Sequence, residues 1–212
     1  MAIEAVIWDF GGVFTTSPFD AFNRFEARNR LPGDFIRRVN ATAPDANAWA
    51  RFERAEIDAA GFDAAFLAES TALGHPVRGA DVLPLLTGEV RPAMVEALRV
   101  CKQRLKVGCI TNNTAQGQES GGVPEIMDLF DAVIESSRVG MRKPDPRIYR
   151  MMCEALDVAP SACVYLDDLG INCKPAAAMG MTAIKFVSEQ QALADLAHAI
   201  GLVVPPLAEV VA

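Results

Sequence analysis

Five short apolar runs punctuate this chain, at 3–8, 107–110, 132–134, 163–166 and 182–187, and helical periodicity fills the gaps between the last four. Runs this short, bounded by turn residues, read as buried strands. Strands alternating with helices build a parallel sheet covered on both faces. The expected fold class is therefore α/β: a three-layer α/β/α sandwich around a parallel, Rossmann-like sheet. One helix opens at Pro92 and places Met94, Val95, Leu98, Cys101 and Leu105 on one face. A second opens near Pro144 and carries Ile148, Met151, Met152, Ala155 and Leu156. A third is expected from Asn172 to Met179 with Gly180 as its stop, and a last from Ser188 to Ile200, stopped by Gly201.

Between the first strand and Pro92 the pattern changes. No strand signal is found from Thr15 to Arg91. Ser17-Pro18 with Asp20 has the form of a capping box at a helix start, followed by Phe19, Phe22 and Phe25. Trp49, Phe52 and Ile57 mark another helix; Phe62, Phe66, Leu67 and Leu73 mark a third, ended by Gly74. The expected organisation is a core of residues 1–14 and 90–212 with an all-helical cap, 15–89, inserted after the first strand. In open parallel sheets ligands bind at the carboxyl ends of the strands, which is where this insertion starts.

A length of 212 residues suits one domain carrying an insertion. The formal charge of −7 argues against a nucleic-acid or anionic-membrane surface. No apolar run reaches the roughly 18 residues of a membrane span. The N-terminus has Glu4 and Asp9 where a secretory signal would stay apolar, so a cytoplasmic location is expected. The five cysteines (101, 109, 153, 163, 173) are odd in number and form no CxxC pair, which fits buried free thiols. The tail 202–212 is apolar but broken by two prolines, and its docking on the core or on a partner stays open. The glycine-rich stretch 115–124 is expected to be a mobile loop at the site mouth. His75 and His198, far from the strand ends in sequence, are expected to be structural or to face solvent.

Four segments fall at the ends of expected strands and should converge. The first is Asp9-Phe10-Gly11-Gly12, a carboxylate followed by a turn whose backbone an anion can approach. Its Asp-Phe-Gly triplet lacks every other protein-kinase signature. The second is Thr111-Asn112-Asn113-Thr114, a hydroxyl and amides. The third is Gly140-Met141-Arg142-Lys143-Pro144, which holds Lys143 on a loop just before a helix; Arg142 is expected to point to solvent. The fourth is Asp167-Asp168-Leu169-Gly170-Ile171-Asn172, whose adjacent carboxylates repel unless a cation or proton sits between them. Such an oxygen-rich set suits Mg²⁺. Cys173, next in the chain, is a packed thiol or lines the cavity.

This order of segments, with GMRKPDPRIY and YLDDLGINCKPAAAMGM, resembles the haloacid dehalogenase superfamily over nearly the whole length. It is most similar to the branch containing the N-terminal phosphatase domain of soluble epoxide hydrolase. The resemblance implies a Mg²⁺-dependent phosphohydrolase with a helical cap, acting through an aspartyl-phosphate on a small phosphorylated substrate. Asp9 would be nucleophile and metal ligand, with the Gly11 carbonyl and Asp168 as further ligands. Thr111 and Asn112 would hold phosphate oxygens, and Lys143 would neutralise nucleophile and phosphate. Asp167 and Asn172 would support this set from behind. Three carboxylates balanced by Lys143 and one Mg²⁺ leave a neutral site able to accept a phosphate dianion.

One position departs from the pattern. The superfamily's phosphatases usually carry a second Asp two residues after the nucleophile, as general acid and base; here it is Gly11. Three explanations stand: substrates whose leaving group needs no proton, a substitute group such as Thr15, Thr16 or Asn113, or a weakly active or non-catalytic relative that binds phosphate or metal. Haloacid dehalogenase chemistry also needs no acid, but it would leave the Asp167-Asp168 pair unexplained. Oligomeric state is not legible.

Overall fold

The computed structural model describes residues 2–114 and 123–201. The expectations for the tail 202–212 and for most of the 115–124 stretch lie outside the described residues. Five strands, β1 (Ala5–Trp8), β2 (Lys106–Thr111), β3 (Ala132–Glu135), β4 (Cys163–Asp167) and β5 (Thr182–Lys185), form one sheet in the order β3-β2-β1-β4-β5. Every pairing is parallel. The first and last strands are shorter than the apolar runs suggested, starting at Ala5 and ending at Lys185.

Eleven α-helices and two short 3-10 helices, Leu83–Leu86 and Pro160–Ala162, complete the described fold: α1 (Phe19–Arg28), α2 (Phe35–Ala41), α3 (Ala48–Glu53), α4 (Ala59–Ala72), α5 (Gly79–Val82), α6 (Pro92–Lys102), α7 (Val123–Met127), α8 (Ser136–Val139), α9 (Pro146–Leu156), α10 (Gly170–Ala178) and α11 (Glu189–Ile200). The period-two alternation of strand side chains sorts the core into two layers. Val6 and Trp8 of β1 pack with Met94 and Leu98 of α6 and Leu193 and Leu196 of α11. Ala5 and Ile7 point the other way, against Ile148, Tyr149 and Met152 of α9 and Ala176 of α10. Helices thus cover both faces. No helix among the described residues is long and apolar enough to cross a membrane.

The segment between β1 and α6 is helical, with its own apolar cluster of Phe22, Phe35, Ile36, Val39, Phe52, Phe62, Phe66 and Val82. Its two ends run side by side. Thr15 bridges Val90 antiparallel, the Thr16 amide donates to Glu89 O at 2.8 Å, and the Arg91 amide donates to Phe14 O at 2.7 Å. Chain entry and exit therefore form a two-stranded neck.

Three local expectations are corrected. The capping box at Ser17 does not form: α1 starts at Phe19, and Ser17 Oγ reaches only the Phe19 amide, at 3.4 Å. The helix expected near Pro144 begins at Pro146, because the Asp145 carboxylate accepts from the Arg147 amide and caps it. The helix assigned to Asn172 begins two residues earlier, at Gly170.

Candidate active site

Parallel register brings the candidate residues together. Trp8 of central β1 is level with Cys109 of β2 and with Leu166 of β4. One step on, Asp9 therefore stands beside Asp167, and its amide donates to Leu166 O at 2.8 Å. Thr111 ends β2 at the same edge, buried.

Lys143 joins two of the carboxylates. Its side chain is 1% exposed, and Nζ lies 2.7 Å from Asp9 Oδ1 and 2.8 Å from Asp167 Oδ2. Asp9 Oδ1 also accepts from the Phe10 amide at 2.7 Å. Asp167 is surrounded by donors. Tyr165 Oη donates to Oδ2 at 2.6 Å, the Leu169 amide to Oδ1 at 2.8 Å, and Asn172 Nδ2 reaches both oxygens at 3.0 and 3.1 Å. These contacts, with the Lys143 ammonium, occupy its lone pairs. Tyr149 Oη in turn donates to Asn172 O at 2.8 Å.

The carboxylates of Asp9, Asp167 and Asp168 offer ligand oxygens within 4.8 Å of one another. Burial pushes the Asp9 carboxyl well above the usual range, Asp167 adds to this, and Lys143 opposes it. Burial and then Asp167 raise Asp168 to about 6. Burial disfavours the Lys143 charge, but Asp167 and Asp9 outweigh it and hold the ammonium protonated. Three carboxylates against one ammonium is an arrangement that a further cation relieves. The donors are all oxygen, the set preferred by Mg²⁺. Gly12 makes room for this cluster: a Cβ there would lie 2.3 Å from Asp168 Oδ2, and φ is +79°. A Cβ on Gly11 would meet nothing within 4 Å.

Two sequence expectations change. The Asn112 side chain turns to the Lys143 backbone, accepting from its amide at 2.8 Å and donating to its carbonyl at 3.1 Å. Only its main chain is left for an anion. Arg142 does not point to solvent: Nε lies 2.5 Å from Glu53 Oε2 and Nη1 donates to Pro44 O at 3.0 Å. Its planar fork finds two acceptors on the inserted segment, which outcompete hydration. Of the substitute acids, Thr16 Oγ1 accepts from the Glu89 amide and Asn113 bonds Glu135 and Ser137. Thr15 is buried in the neck.

Glu53, Ser136, Tyr149 and Tyr165 were not singled out from sequence. Tyr165 carried a usable signal, since period two on β4 puts it on the face of Asp167. The five cysteines are free; Cys173 Sγ sits near the carbonyls of Asp167 and Ile184. His75 packs edge-on against Phe35.

Comparison with known proteins agrees with this geometry. The haloacid dehalogenase-like hydrolase family profile matches residues 3–180. The chain is 32% identical over 206 residues to Acyl-CoA dehydrogenase family member 10 of Mus musculus, covering 93% of this chain and 19% of that one. It is 29% identical over 219 residues to Bifunctional epoxide hydrolase 2 of Sus scrofa, covering 95% of this chain and 40% of that one. The chain thus spans less than half the length of these two relatives. It is 30% identical over 203 residues to Phosphatase MT3486 of Mycobacterium tuberculosis, covering 86% and 87%. Among solved structures, a HAD family enzyme of Bacteroides thetaiotaomicron in complex with magnesium and inorganic phosphate superposes with a TM-score of 0.62 at 18% identity, covering 87% of this chain and 94% of that one. A family match over 178 residues, a parallel sheet in the order 3-2-1-4-5 and an Asp–Lys–Asp cluster at its carboxyl edge all agree: the chain belongs to the haloacid dehalogenase-like hydrolases.

Proposed function

We propose that the protein is a Mg²⁺-dependent phosphohydrolase that works through an aspartyl-phosphate at Asp9. The observation that carries this reading is the Lys143 ammonium shared between Asp9 and Asp167, beside a third carboxylate, Asp168. Relatives named as phosphatases and a neighbour holding magnesium and phosphate support it.

Asp9 Oδ1 is fixed by Lys143 and the Phe10 amide, which aims the other oxygen at an incoming phosphorus. Attack by that oxygen forms the Asp9–phosphate bond as the ester oxygen departs. Lys143 carries positive charge to the transferring group. Thr111 Oγ1 and the main-chain amide of Asn112 are assigned to the phosphate oxygens. Asp9, Asp168 and the Gly11 carbonyl would hold Mg²⁺, which when bound neutralises charge on nucleophile and phosphate. Water then hydrolyses the acyl phosphate. Gly11 supplies no proton to the leaving oxygen, so the preferred substrates are small phosphate esters with good leaving groups.

The reading is tested by phosphate release from p-nitrophenyl phosphate and a panel of alkyl phosphates, with Mg²⁺ or EDTA. Asp9→Asn keeps the shape and removes the nucleophile; turnover should fall by at least about 10³-fold. Turnover that survives in this variant, or in EDTA, refutes the mechanism. Release from aryl but not alkyl esters is the expected trend.

A further inference from the structure

Among the described residues, two attachments of the inserted helices to the core bear on the site. One is the neck at 14–16 and 89–91. The other centres on Glu53, the last residue of α3 and 6% exposed. The neck carries the covalent connection, and a body attached there alone could swing. The second attachment therefore decides where the inserted helices rest.

Glu53 makes three contacts. Oε1 accepts from Trp49 Nε1 at 2.9 Å within its own helix. Oε2 pairs with Arg142 Nε at 2.5 Å. Its main-chain oxygen accepts from Ser136 Oγ at 2.7 Å, and Ser136 is fully buried. Ser136 Oγ accepts from the Asn113 amide at 3.0 Å. Asn112, one residue earlier, clamps the Lys143 backbone at both its amide and its carbonyl. Arg142 is the residue before Lys143, and its guanidinium also reaches Pro44 O of the insertion at 3.0 Å.

One residue of the insertion is thus bonded directly to the loop 140–145, at Arg142, and through Ser136 to the loop 111–114. We infer that Glu53 and Arg142 are a positioning pair that makes the placement of Lys143 depend on docking of the inserted helices. Neither touches the reacting atoms; Arg142 acts through its peptide link to Lys143, and Glu53 acts through Arg142 and Ser136. A charge-assisted pair at a partly buried interface is directional, so loss of either partner frees the other. Displacement of about 1 Å in a charge-stabilising group costs as much as 10²-fold in rate. This inference rests on the phosphohydrolase reading of Lys143.

The test compares Glu53→Gln, Arg142→Met, the double variant and Arg142→Lys. It reads p-nitrophenyl phosphate kinetics in Mg²⁺ and amide hydrogen exchange at 112–114 and 141–145. Each single variant should lose about 10-fold or more in kcat with KM little changed. Exchange should rise at both loops. The double variant should be no worse than the poorer single, because one coupling is broken only once. Arg142→Lys, which keeps charge but loses the fork, should fall between, and it secures the test if Arg142→Met does not fold. Unchanged kcat, multiplied losses in the double variant, or unchanged exchange at both loops would overturn the pairing. Absence of Asp9-dependent turnover in the wild type would refute the phosphohydrolase reading instead, and the exchange measurement would still decide whether the loops are coupled to the insertion.

Discussion

A Cβ on Gly12 would overlap the Asp168 carboxylate, and the backbone there has φ +79°, which L side chains rarely adopt. Its neighbour Gly11 has an ordinary φ and open space where a side chain would stand. The two glycines therefore predict opposite outcomes. Gly12→Ala should displace Asp168 and weaken both Mg²⁺ binding and turnover. Gly11→Asp should fold, and should raise turnover of alkyl phosphates, whose leaving oxygen needs a proton, by about 10²-fold, since a placed general acid contributes 10²–10⁴. Aryl phosphates should change far less. Steady-state kinetics on both substrate classes, with Mg²⁺ titrated by calorimetry, checks the pair. Equal gains on both classes would mean that proton donation is not what the wild-type site lacks.

Among the elements, α9 shows how a sequence signal is resolved by local chemistry. Two prolines, Pro144 and Pro146, flank Asp145, and either can open a helix. Asp is among the strongest N-cap residues, so Pro146 takes the first helical position and Lys143 stays on a loop, free to point inward. The parallel sheet, its two covering layers and the convergence of the segments holding Asp9, Thr111, Lys143 and Asp168 followed from period and strand-end position, which are local properties; the strand order did not. Glu53 and Arg142 did not: 89 residues separate them, and nothing in an exposed-looking Glu or Arg marks it for a partly buried pair. The Asn112 clamp was equally hidden, because an amide can bond phosphate or backbone and only the fold chooses. The α9 cap makes its own prediction. The Arg147 guanidinium, opposed by partial burial and helped by the Arg147 amide, holds the Asp145 carboxyl below its usual range. A depressed folded pKa contributes stability that is present above about pH 3.8 and lost as pH falls further. Asp145→Ala should therefore lower stability at pH 7 by about 1 kcal/mol, or roughly 2–4 °C in Tm for a chain of this size. The deficit should shrink in acid as the wild type loses the same bond. A deficit independent of pH would assign the effect to something other than the charged cap.

At the scale of the molecule, folding draws Asp9, Asp167 and Asp168 to one edge of the sheet against a single buried ammonium. The unfolded chain keeps Asp9 apart from the adjacent Asp167 and Asp168, and leaves all three hydrated. The native state therefore carries a burial cost and a local repulsion that α9, β4 and the two core layers must overcome; burial first, and then Asp167, raise the carboxyl pKa values of Asp9 and Asp168. A cation that binds only the folded arrangement relieves this and shifts the unfolding equilibrium by mass action. Mg²⁺ at 100 times its dissociation constant should stabilise by about 2.7 kcal/mol, raising Tm by roughly 5–10 °C. EDTA should reverse the shift. Asp168→Asn separates the two terms. With one charge removed, the metal-free protein should melt at or above the wild-type temperature, because the repulsion is weaker. Its response to Mg²⁺ should be much smaller, because a ligand is gone. Thermal unfolding of both proteins across a Mg²⁺ series makes the comparison. A variant that is destabilised without metal yet responds fully to Mg²⁺ would show that Asp168 serves the fold rather than the ion, and the assignment of the metal to this edge would fail with it.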